Sequence, residues 1–309
     1  VHVDGLIAID KPAQMTSHDV VARVRRITGQ RAAGHTGTLD PDAAGLLVVC
    51  LGRAARLTRF IEEFPKEYEA EIVFGVSTHT GDASGRVTAR SEGFSIPLCA
   101  FLATLGEFLG DIRQTPPMVS AVRHEGKRLY ELARRGITVE RQPRTVTIFE
   151  IEPLHVGSWP PRLEYGARGN VRVRCSRGTY IRTLCEDICQ KLGIAGHMGA
   201  LTRTATSGFT LDQAVTLEEL ERLASLGSLS GAIRSPLWGV RHLPSLNLTE
   251  REAEAVCHGT AFECDASRIT NAREDMAHVA LVRPDGRLAA VAAARPSAQG
   301  LFIQPRVVL

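Results

Sequence analysis

The chain lacks several features that mark common classes of protein. No apolar run approaches the roughly 18 residues that a membrane-spanning helix needs, and the first residues lack the basic and then apolar layout of a secretory signal. Neither GxGxxG nor GxxxxGK[ST] occurs, so no nucleotide-cofactor loop is expected. A GxSxG elbow for a serine nucleophile is also missing. We therefore expect a cytoplasmic protein that uses no nucleotide cofactor.

Cysteine and aromatic residues are sparse. The seven cysteines form no CxxC pair, and their odd number leaves at least one unpaired. Cys185 and Cys189 are spaced to share a helix face, but no His or Cys partner stands near them in the sequence. We expect reduced core thiols and no metal site. Aromatic residues make up only 5% of the chain, so a tyrosine beside a basic or glycine-rich segment gains interest.

The net charge of +3 is unevenly distributed. Residues 21–61 carry seven Arg against two Asp, residues 113–144 carry eight Arg or Lys against three Glu, and residues 168–203 carry seven against two. Each stretch is thus net +5. If the three converge in the fold, they would form a phosphate-binding surface and favour a nucleic-acid partner. Solvated helix faces explain the same counts equally well.

The hydrophobic pattern predicts an α+β protein. Residues 46–51 form an unbroken apolar run typical of a buried strand, and residues 66–74 alternate as a half-buried strand does. Thr16 or Ser17 is expected to cap a helix that ends at Gly29. No βαβα repeat occurs. Gly, Ser and Pro accumulate near residues 226–244, which indicates a boundary between a domain over residues 1–240 and a small β-rich module over residues 245–309.

Asp40 is the first candidate for chemistry. It lies in a glycine-punctuated loop, residues 34–45, just before the buried strand, and Pro41 favours extended geometry at Asp40. An isolated Asp in such a loop is most often a turn former. His35 in the same loop and Arg182 in a separate segment favour catalysis instead, because an arginine paired with a buried aspartate keeps it ionised.

Two tyrosines are further candidates. Tyr68 stands on the alternating strand, where a core aromatic is the simplest interpretation. Its functional alternatives are a platform on which a base stacks, or a phenol that transfers a proton. Tyr180 follows Gly178 and Thr179 in a glycine-containing run and leaves the same choice open.

Six segments together resemble one family in identity and order. They are Lys11-Pro12, the loop at 34–45, Lys66-Glu67-Tyr68, and the runs at 81–85, 114–121 and 176–182. That family is the bacterial tRNA pseudouridine-55 synthases, the TruB family, and the resemblance spans about residues 5–210. It implies a catalytic domain on a mixed, mainly antiparallel sheet, with a reduced PUA-like C-terminal domain. It also implies that uridine-55 of the tRNA T-loop is isomerised to pseudouridine without a metal or organic cofactor.

The resemblance also implies roles for individual residues. Asp40 matches the essential aspartate, which attacks C1′ or stabilises glycosidic cleavage, and Arg182 matches its arginine partner. Tyr68 matches the tyrosine stacked on the target base, with a proposed part in proton transfer. The remaining matches concern RNA binding and support of the site: His35 for the flipped-out nucleotide, Tyr180 and Leu201 for the base pocket, and Lys11 for support of the loop. The basic segment at 113–144 resembles the family's insertion that closes over the T-loop.

Two departures and three alternatives accompany this interpretation. Asp42 occupies a position that is usually apolar in the family, and the C-terminal module is short and divergent. The alternatives are a non-catalytic tRNA-binding or tRNA-folding chaperone, a guide-RNA-dependent synthase, which the compact tail disfavours, and a nucleosidase that uses Asp40. We expect tRNA as the partner, with no guide RNA and no membrane. Nothing suggests obligate assembly, so we expect a monomer.

Overall fold

The computed structural model describes residues 3–120, 122–273, 276–297 and 300–309. Ala121, in the segment at 114–121, lies outside them. The helices, α1 to α7, are Ser17–Thr28, Thr58–Ile61, Leu98–Gly106, Leu129–Arg134, Ile181–Lys191, Leu217–Ser225 and Glu250–Cys257. The strands, β1 to β21, are Gly5–Lys11, Ala33–His35, Ala44–Leu51, Lys66–Phe74, Val76–Thr78, Val87–Arg90, Ile96–Pro97, Gly110–Gln114, Arg123–His124, Lys127–Arg128, Arg144–Leu154, Arg162–Leu163, Arg168–Cys175, Gly196–Thr206, Phe209–Thr210, Ser245–Asn247, Phe262–Cys264, Ile269–Thr270, His278–Val282, Leu288–Ser297 and Gly300–Val308. Within the described ranges, no helix has the length and apolar character needed to cross a membrane.

The chain divides into two compact units. Unit 1 comprises Val1–Pro41, Gly45–Phe64 and Thr206–Leu309, and unit 2 comprises Asp42–Ala44 and Pro65–Ala205. Both combine helices with sheets in which neighbouring strands are mainly antiparallel. The α+β class expected from the hydrophobic pattern is therefore confirmed.

In unit 1, strand β3 is buried on both faces. It pairs with β1 in antiparallel register, with Ile7 opposite Val49. Alternate residues of the two strands enter two apolar clusters, one shared with the segment after β3 and one shared with α1 and α6. Each large aliphatic side chain buried in this way contributes about 1.5–3 kcal/mol. Burial on both sides explains why residues 46–51 read as an unbroken apolar run.

Local capping signals define α1 as expected. The Thr16 side chain accepts from the backbone N–H of Asp19, the Asp19 side chain accepts from the backbone N–H of Thr16, and Gly29 ends the helix in the left-handed region. Thr16, and not Ser17, is thus the N-cap. The apolar face that includes Val20, Val21 and Val24 packs into the core of unit 1.

In unit 2, the main sheet has the strand order β14-β4-β13-β11-β8. Strand β4 is buried at Tyr68, Ala70 and Ile72 and more exposed at Glu67 and Glu69, as the predicted alternation requires. The sheet therefore presents one apolar face and one charged face, and Tyr68 lies on the apolar one.

The C-terminal module within unit 1 has its own sheet. Its six strands follow the order β17-β21-β20-β19-β16-β18 around a separate apolar cluster. Strands β19 and β20 form an antiparallel hairpin. Thr249 and Glu252 form a capping box before α7. A β-rich C-terminal module is confirmed, while the domain boundary between 1–240 and 245–309 stays a prediction.

Candidate active site

Side chains of unit 1 hold the backbone on both sides of Asp40. The Ser17 hydroxyl accepts from the Leu39 backbone N–H at 2.9 Å and donates to the Leu39 carbonyl at 3.2 Å. On the other side, Lys11 Nζ donates to the Pro41 carbonyl at 3.1 Å. Asp40 itself is half-buried. Because both flanking residues are anchored, the loop presents the Asp40 carboxylate from a defined backbone.

Lys11 is the last residue of β1 and is fully buried. In addition to Pro41, its ammonium donates to the carbonyls of Pro12 at 2.9 Å and Met15 at 2.7 Å. A lysine ammonium carries three N–H donors in a compact head, so it can join three carbonyls at once. This geometry agrees with the supporting role that the resemblance implies for Lys11, although the role itself stays a prediction.

The first half of the loop is ordered by hydroxyl and imidazole groups. Thr36 donates its backbone N–H to the Val48 carbonyl at 3.0 Å, and its hydroxyl lies 2.9 Å from that of Ser207. Gly37 has a φ of 130°, which L side chains rarely adopt. Its N–H donates to His35 Nδ1 at 3.3 Å. That bond makes Nδ1 an acceptor, so a neutral His35 carries its proton on Nε2.

In unit 2, Arg182 lies in the first turn of α5 and only 4% of it is exposed. Its two terminal nitrogens donate to the carbonyls of Thr80 and Val119, each at 2.8 Å. Nη1 is also 3.5 Å from Asp82 Oδ2. Because the guanidinium is a planar fork, these contacts fix its orientation as well as its position.

Asp82 contacts the predicted site residue Arg182, and sequence reasoning did not single it out. Its other oxygen, Oδ1, accepts from the Thr80 hydroxyl at 2.7 Å and from the Ser84 hydroxyl and N–H at 2.6 and 3.1 Å. The turn at 81–85 was one of the segments that carried the family resemblance, and an aspartate that shapes its own turn is ordinary there. Nothing in the sequence shows that this turn reaches Arg182, one hundred residues later.

A second carboxylate stands near Arg182. Glu186 follows one helical turn later on α5, and burial together with the charge of Asp187 raises its pKa to about 7. Burial also raises the pKa of Asp187, to about 6. A side chain on Gly81 would come within 3.0 Å of the Glu186 carboxyl. Two acids, Asp82 and Glu186, therefore lie near the buried Arg182 within unit 2.

The entry to α5 is held by a buried amide. Gln114, 2% exposed, accepts from the Tyr180 N–H at 3.0 Å and donates to the Tyr180 carbonyl at 3.2 Å. Tyr180 is the N-cap residue of α5 and has no side-chain cap hydrogen bond. The start of the helix that carries Arg182 is therefore positioned by a residue at the base of the 113–144 insertion.

Tyr68 and Leu201 lie on the same face of the unit 2 sheet. Tyr68 is paired with Val173 on β13 and with Arg203 on β14, and Leu201 is opposite Ala70. Paired residues on adjacent strands project to the same side, so Leu201 is a diagonal neighbour of Tyr68. Tyr68 is 7% and Leu201 is 9% exposed. The sheet register thus places together two of the residues expected around the target base.

The seven predicted site residues are divided between the two units. Lys11, His35 and Asp40 belong to unit 1, and the other four, Tyr68, Tyr180, Arg182 and Leu201, belong to unit 2. Within each unit the residues lie in ordered, hydrogen-bonded or paired positions. Their catalytic and RNA-binding roles, including the pairing of Arg182 with Asp40, stay predictions.

The arginines of the three basic stretches differ in whether acidic side chains pair with them in the structure. On β13, Arg172 pairs with Glu152, and Arg174 lies 2.7 Å from Glu150. In the stretch at 21–61, Arg23 contacts Glu221 at 3.1 Å. The insertion, by contrast, exposes several basic side chains, namely Arg113, Lys127, Arg134, Arg135 and Arg144. Acids from other segments therefore offset much of the charge counted in the first and third stretches.

Five of the seven cysteines are buried, as expected of core thiols, whereas Cys99 and Cys257 are exposed, so the expectation is wrong for those two. Cys185 and Cys189 lie on the inner face of α5, and burial raises the pKa of both thiols, to about 12 for Cys189. Among the described residues, no group of three or more His, Cys, Asp or Glu side chains is arranged to hold a metal ion.

Comparison with known proteins gives the family. The model of the TruB family pseudouridylate synthase N-terminal domain matches residues 25–181, and that of the tRNA pseudouridylate synthase B C-terminal domain matches residues 182–232. The chain is 42% identical to tRNA pseudouridine synthase B of Pelotomaculum thermopropionicum, over 99% of this chain and 97% of the relative. It is 40% identical to the protein of that name from Geobacillus thermodenitrificans, over 97% of this chain and 98% of the relative.

A solved structure agrees with this assignment. The fold superimposes on a crystal structure of a Cbf5–Nop10–Gar1 complex with a TM-score of 0.74, at 27% identity, covering 98% of this chain and 84% of the other. The chain therefore belongs to the TruB family of pseudouridylate synthases, whose members are isomerases.

Proposed function

We propose that this protein converts uridine-55 in the T-loop of tRNA to pseudouridine, acting in the cytoplasm as a monomer without guide RNA. The observation that carries the proposal is the anchoring of Asp40 between Leu39 and Pro41 in a chain 42% identical to a tRNA pseudouridine synthase B over nearly its whole length. A fixed carboxylate suits a reaction in which one oxygen must meet one sugar carbon.

The chemistry requires an ionised Asp40. The N1–C1′ bond of the nucleotide breaks while the aspartate attacks C1′ or stabilises the positive charge that develops there. The uracil then turns and C5 joins C1′, which breaks the bond to Asp40 if one has formed. C5 loses its proton and N1 gains one. The product is an isomer of the substrate, so the reaction consumes no second reactant. Arg182 is proposed to keep Asp40 ionised, because an adjacent cation favours the charged form of a carboxylate.

The remaining site residues are proposed to hold the target base. A uracil inside a folded tRNA must be unstacked before C1′ becomes accessible, at a cost of a few kcal/mol. Tyr68 stacks on the extruded base and supplies a phenol for proton transfer, while Leu201 and Tyr180 complete the pocket. His35 keeps the nucleotide extruded. The shared face of Tyr68 and Leu201 supports this assignment.

The 113–144 insertion is proposed to grip the T-loop backbone. Its exposed basic side chains suit phosphate contacts, which set register without reading sequence. The C-terminal module is proposed as a reduced PUA-like RNA-binding domain. Binding of tRNA should weaken as salt concentration rises, because phosphate contacts release counterions.

The test is mass-spectrometric mapping of pseudouridine in unmodified tRNA treated with the parent protein and with Asp40→Asn. We expect pseudouridine at position 55 only, its loss in the variant, and retained tRNA binding by the variant. Conversion of an isolated T-arm hairpin would show independence from guide RNA. A parent protein that binds tRNA but forms no pseudouridine would support the chaperone alternative, and release of free uracil would support a nucleosidase.

A further inference from the structure

Ser17 makes an unusual pair of contacts for a residue at the start of a helix. It is the first residue of α1 and only 1% exposed, yet the helix is capped by Thr16. Its hydroxyl instead engages both polar backbone groups of Leu39, twenty-two residues later, as acceptor at 2.9 Å and donor at 3.2 Å. The hydroxyl uses its donor and one acceptor site, so these bonds define its rotamer as well.

The contacts matter because of where Leu39 stands. Residues 38–40 belong to no helix or strand, so no ladder of backbone hydrogen bonds orders this segment. Leu39 precedes Asp40 directly, and its side chain is buried at 3% exposure. A shift of the Leu39 peptide therefore moves the Cα of Asp40. Displacement of a reacting group by about 1 Å is enough to lower a rate about 100-fold.

We infer that Ser17 is a positioning residue of this enzyme, which acts through the Leu39 peptide to set the position of the Asp40 carboxylate. The inference rests on the proposed function, since it gives Asp40 its catalytic role. Because Ser17 is only 1% exposed, it acts through this peptide and not by contact with substrate. We expect its effect in the chemical step more than in tRNA affinity, because the peptide that Ser17 holds adjoins Asp40 directly.

Ser17→Ala and its neighbour Thr16→Ala provide a matched pair. Each substitution removes a hydroxyl from the start of α1. Ser17→Ala removes the hydrogen bonds to Leu39. Thr16→Ala keeps them and removes the N-cap hydrogen bond from Asp19. Single-turnover rates of pseudouridine formation are measured with a saturating T-arm hairpin, and dissociation constants by titration of the same hairpin. Thermal unfolding is measured for each variant. We expect Ser17→Ala to lower the rate about 10- to 100-fold, with affinity changed less than about twofold. Thr16→Ala should unfold at a lower temperature but keep its rate within about twofold of the parent.

Equal rate losses in the two variants, or a parental rate in Ser17→Ala, would overturn the inference.

Amide hydrogen exchange of the unmodified protein gives a second test that needs no variant. The Leu39 amide should exchange at least about tenfold more slowly than that of the exposed Thr38, because only the former donates to a buried hydroxyl. Equal exchange would show that the contact does not hold in solution. If the parent protein forms no pseudouridine, the proposed function fails, while the exchange measurement still decides the contact.

Discussion

The Arg182 guanidinium lies 3.5 Å from the Asp82 carboxylate while donating to two backbone carbonyls of unit 2. Asp82 therefore places a negative charge beside the Arg182 guanidinium. It also stabilises the turn whose Thr80 carbonyl accepts a hydrogen bond from Arg182. Both groups are nearly buried, so solvent screens the attraction less than it would at the surface.

Asp82→Asn should lower turnover about 10- to 100-fold, with a smaller effect on tRNA affinity, because the substitution replaces a charged partner of Arg182 by a neutral one of the same shape. Asp285→Asn is a suitable control. Asp285 likewise accepts a backbone N–H within a turn and stands 3.8 Å from an arginine, but at an exposed site in the C-terminal module. Single-turnover kinetics should leave the control near the parental rate. An Asp82→Asn enzyme with full activity would show that the pair is only structural.

Arg182→Met should abolish most turnover and reduce tRNA binding much less. Methionine fills similar volume but leaves the Thr80 and Val119 carbonyls without these donors, which costs about 1–3 kcal/mol of stability for each unpaired group. Rates and affinities on the same T-arm hairpin separate the two effects. Lys191→Met, at the exposed far end of α5, is the control. Equal losses of turnover and binding at Arg182 would contradict its proposed pairing with Asp40.

Gln114→Glu tests the anchoring of Tyr180. Glutamate keeps the acceptor for the Tyr180 N–H but presents a second oxygen to the Tyr180 carbonyl, where the amide had donated. We expect a loss of about 1–3 kcal/mol in the free energy of unfolding at neutral pH, measured by urea denaturation. Gln190→Glu on the exposed side of α5 should change it by less than about 0.5 kcal/mol. A matching small change at Gln114 would show that the amide contributes little.

Glu186→Gln should change how stability depends on pH. The pKa of Glu186 is raised in the folded state from its ordinary value of 4.5 to about 7, so the folded protein holds this proton more tightly than the unfolded chain. The contribution of Glu186 to the free energy of unfolding therefore falls as pH rises from about 4.5 to about 7 and stays low above that range. Because Glu186 is only partly buried, solvent screening reduces the effect to about 1 kcal/mol.

The measurement is urea denaturation at pH 4.5 and pH 8. Relative to the parent, Glu186→Gln should gain stability at pH 8 and gain little at pH 4.5, where the parent side chain is already neutral. Glu254→Gln, at an exposed position on α7, should shift both values by less than about 0.5 kcal/mol. A gain of the same size at both pH values would show that ionisation is not its cause.

The sequence by itself determined the features that depend on near neighbours and on burial. The start of α1 at Thr16 or Ser17, the glycine that ends α1, the buried β3 and the alternation along β4 all followed from residues within one element. The family resemblance pointed to Asp40 and Arg182 because their surrounding residues form contiguous motifs. Such signals act over a few positions, where covalent geometry already limits which groups can meet.

Only the tertiary structure decided the partners that lie far apart in the chain. Ser17 fitted the sequence pattern for a helix cap, but in the fold it binds the peptide of Leu39. The sequence places Arg172 in a basic stretch, but in the fold β11 brings Glu152 next to it. A hydroxyl or a guanidinium can satisfy its hydrogen bonds with many equivalent groups. Which one it meets depends on strand register and helix packing, which are set by burial of the whole core.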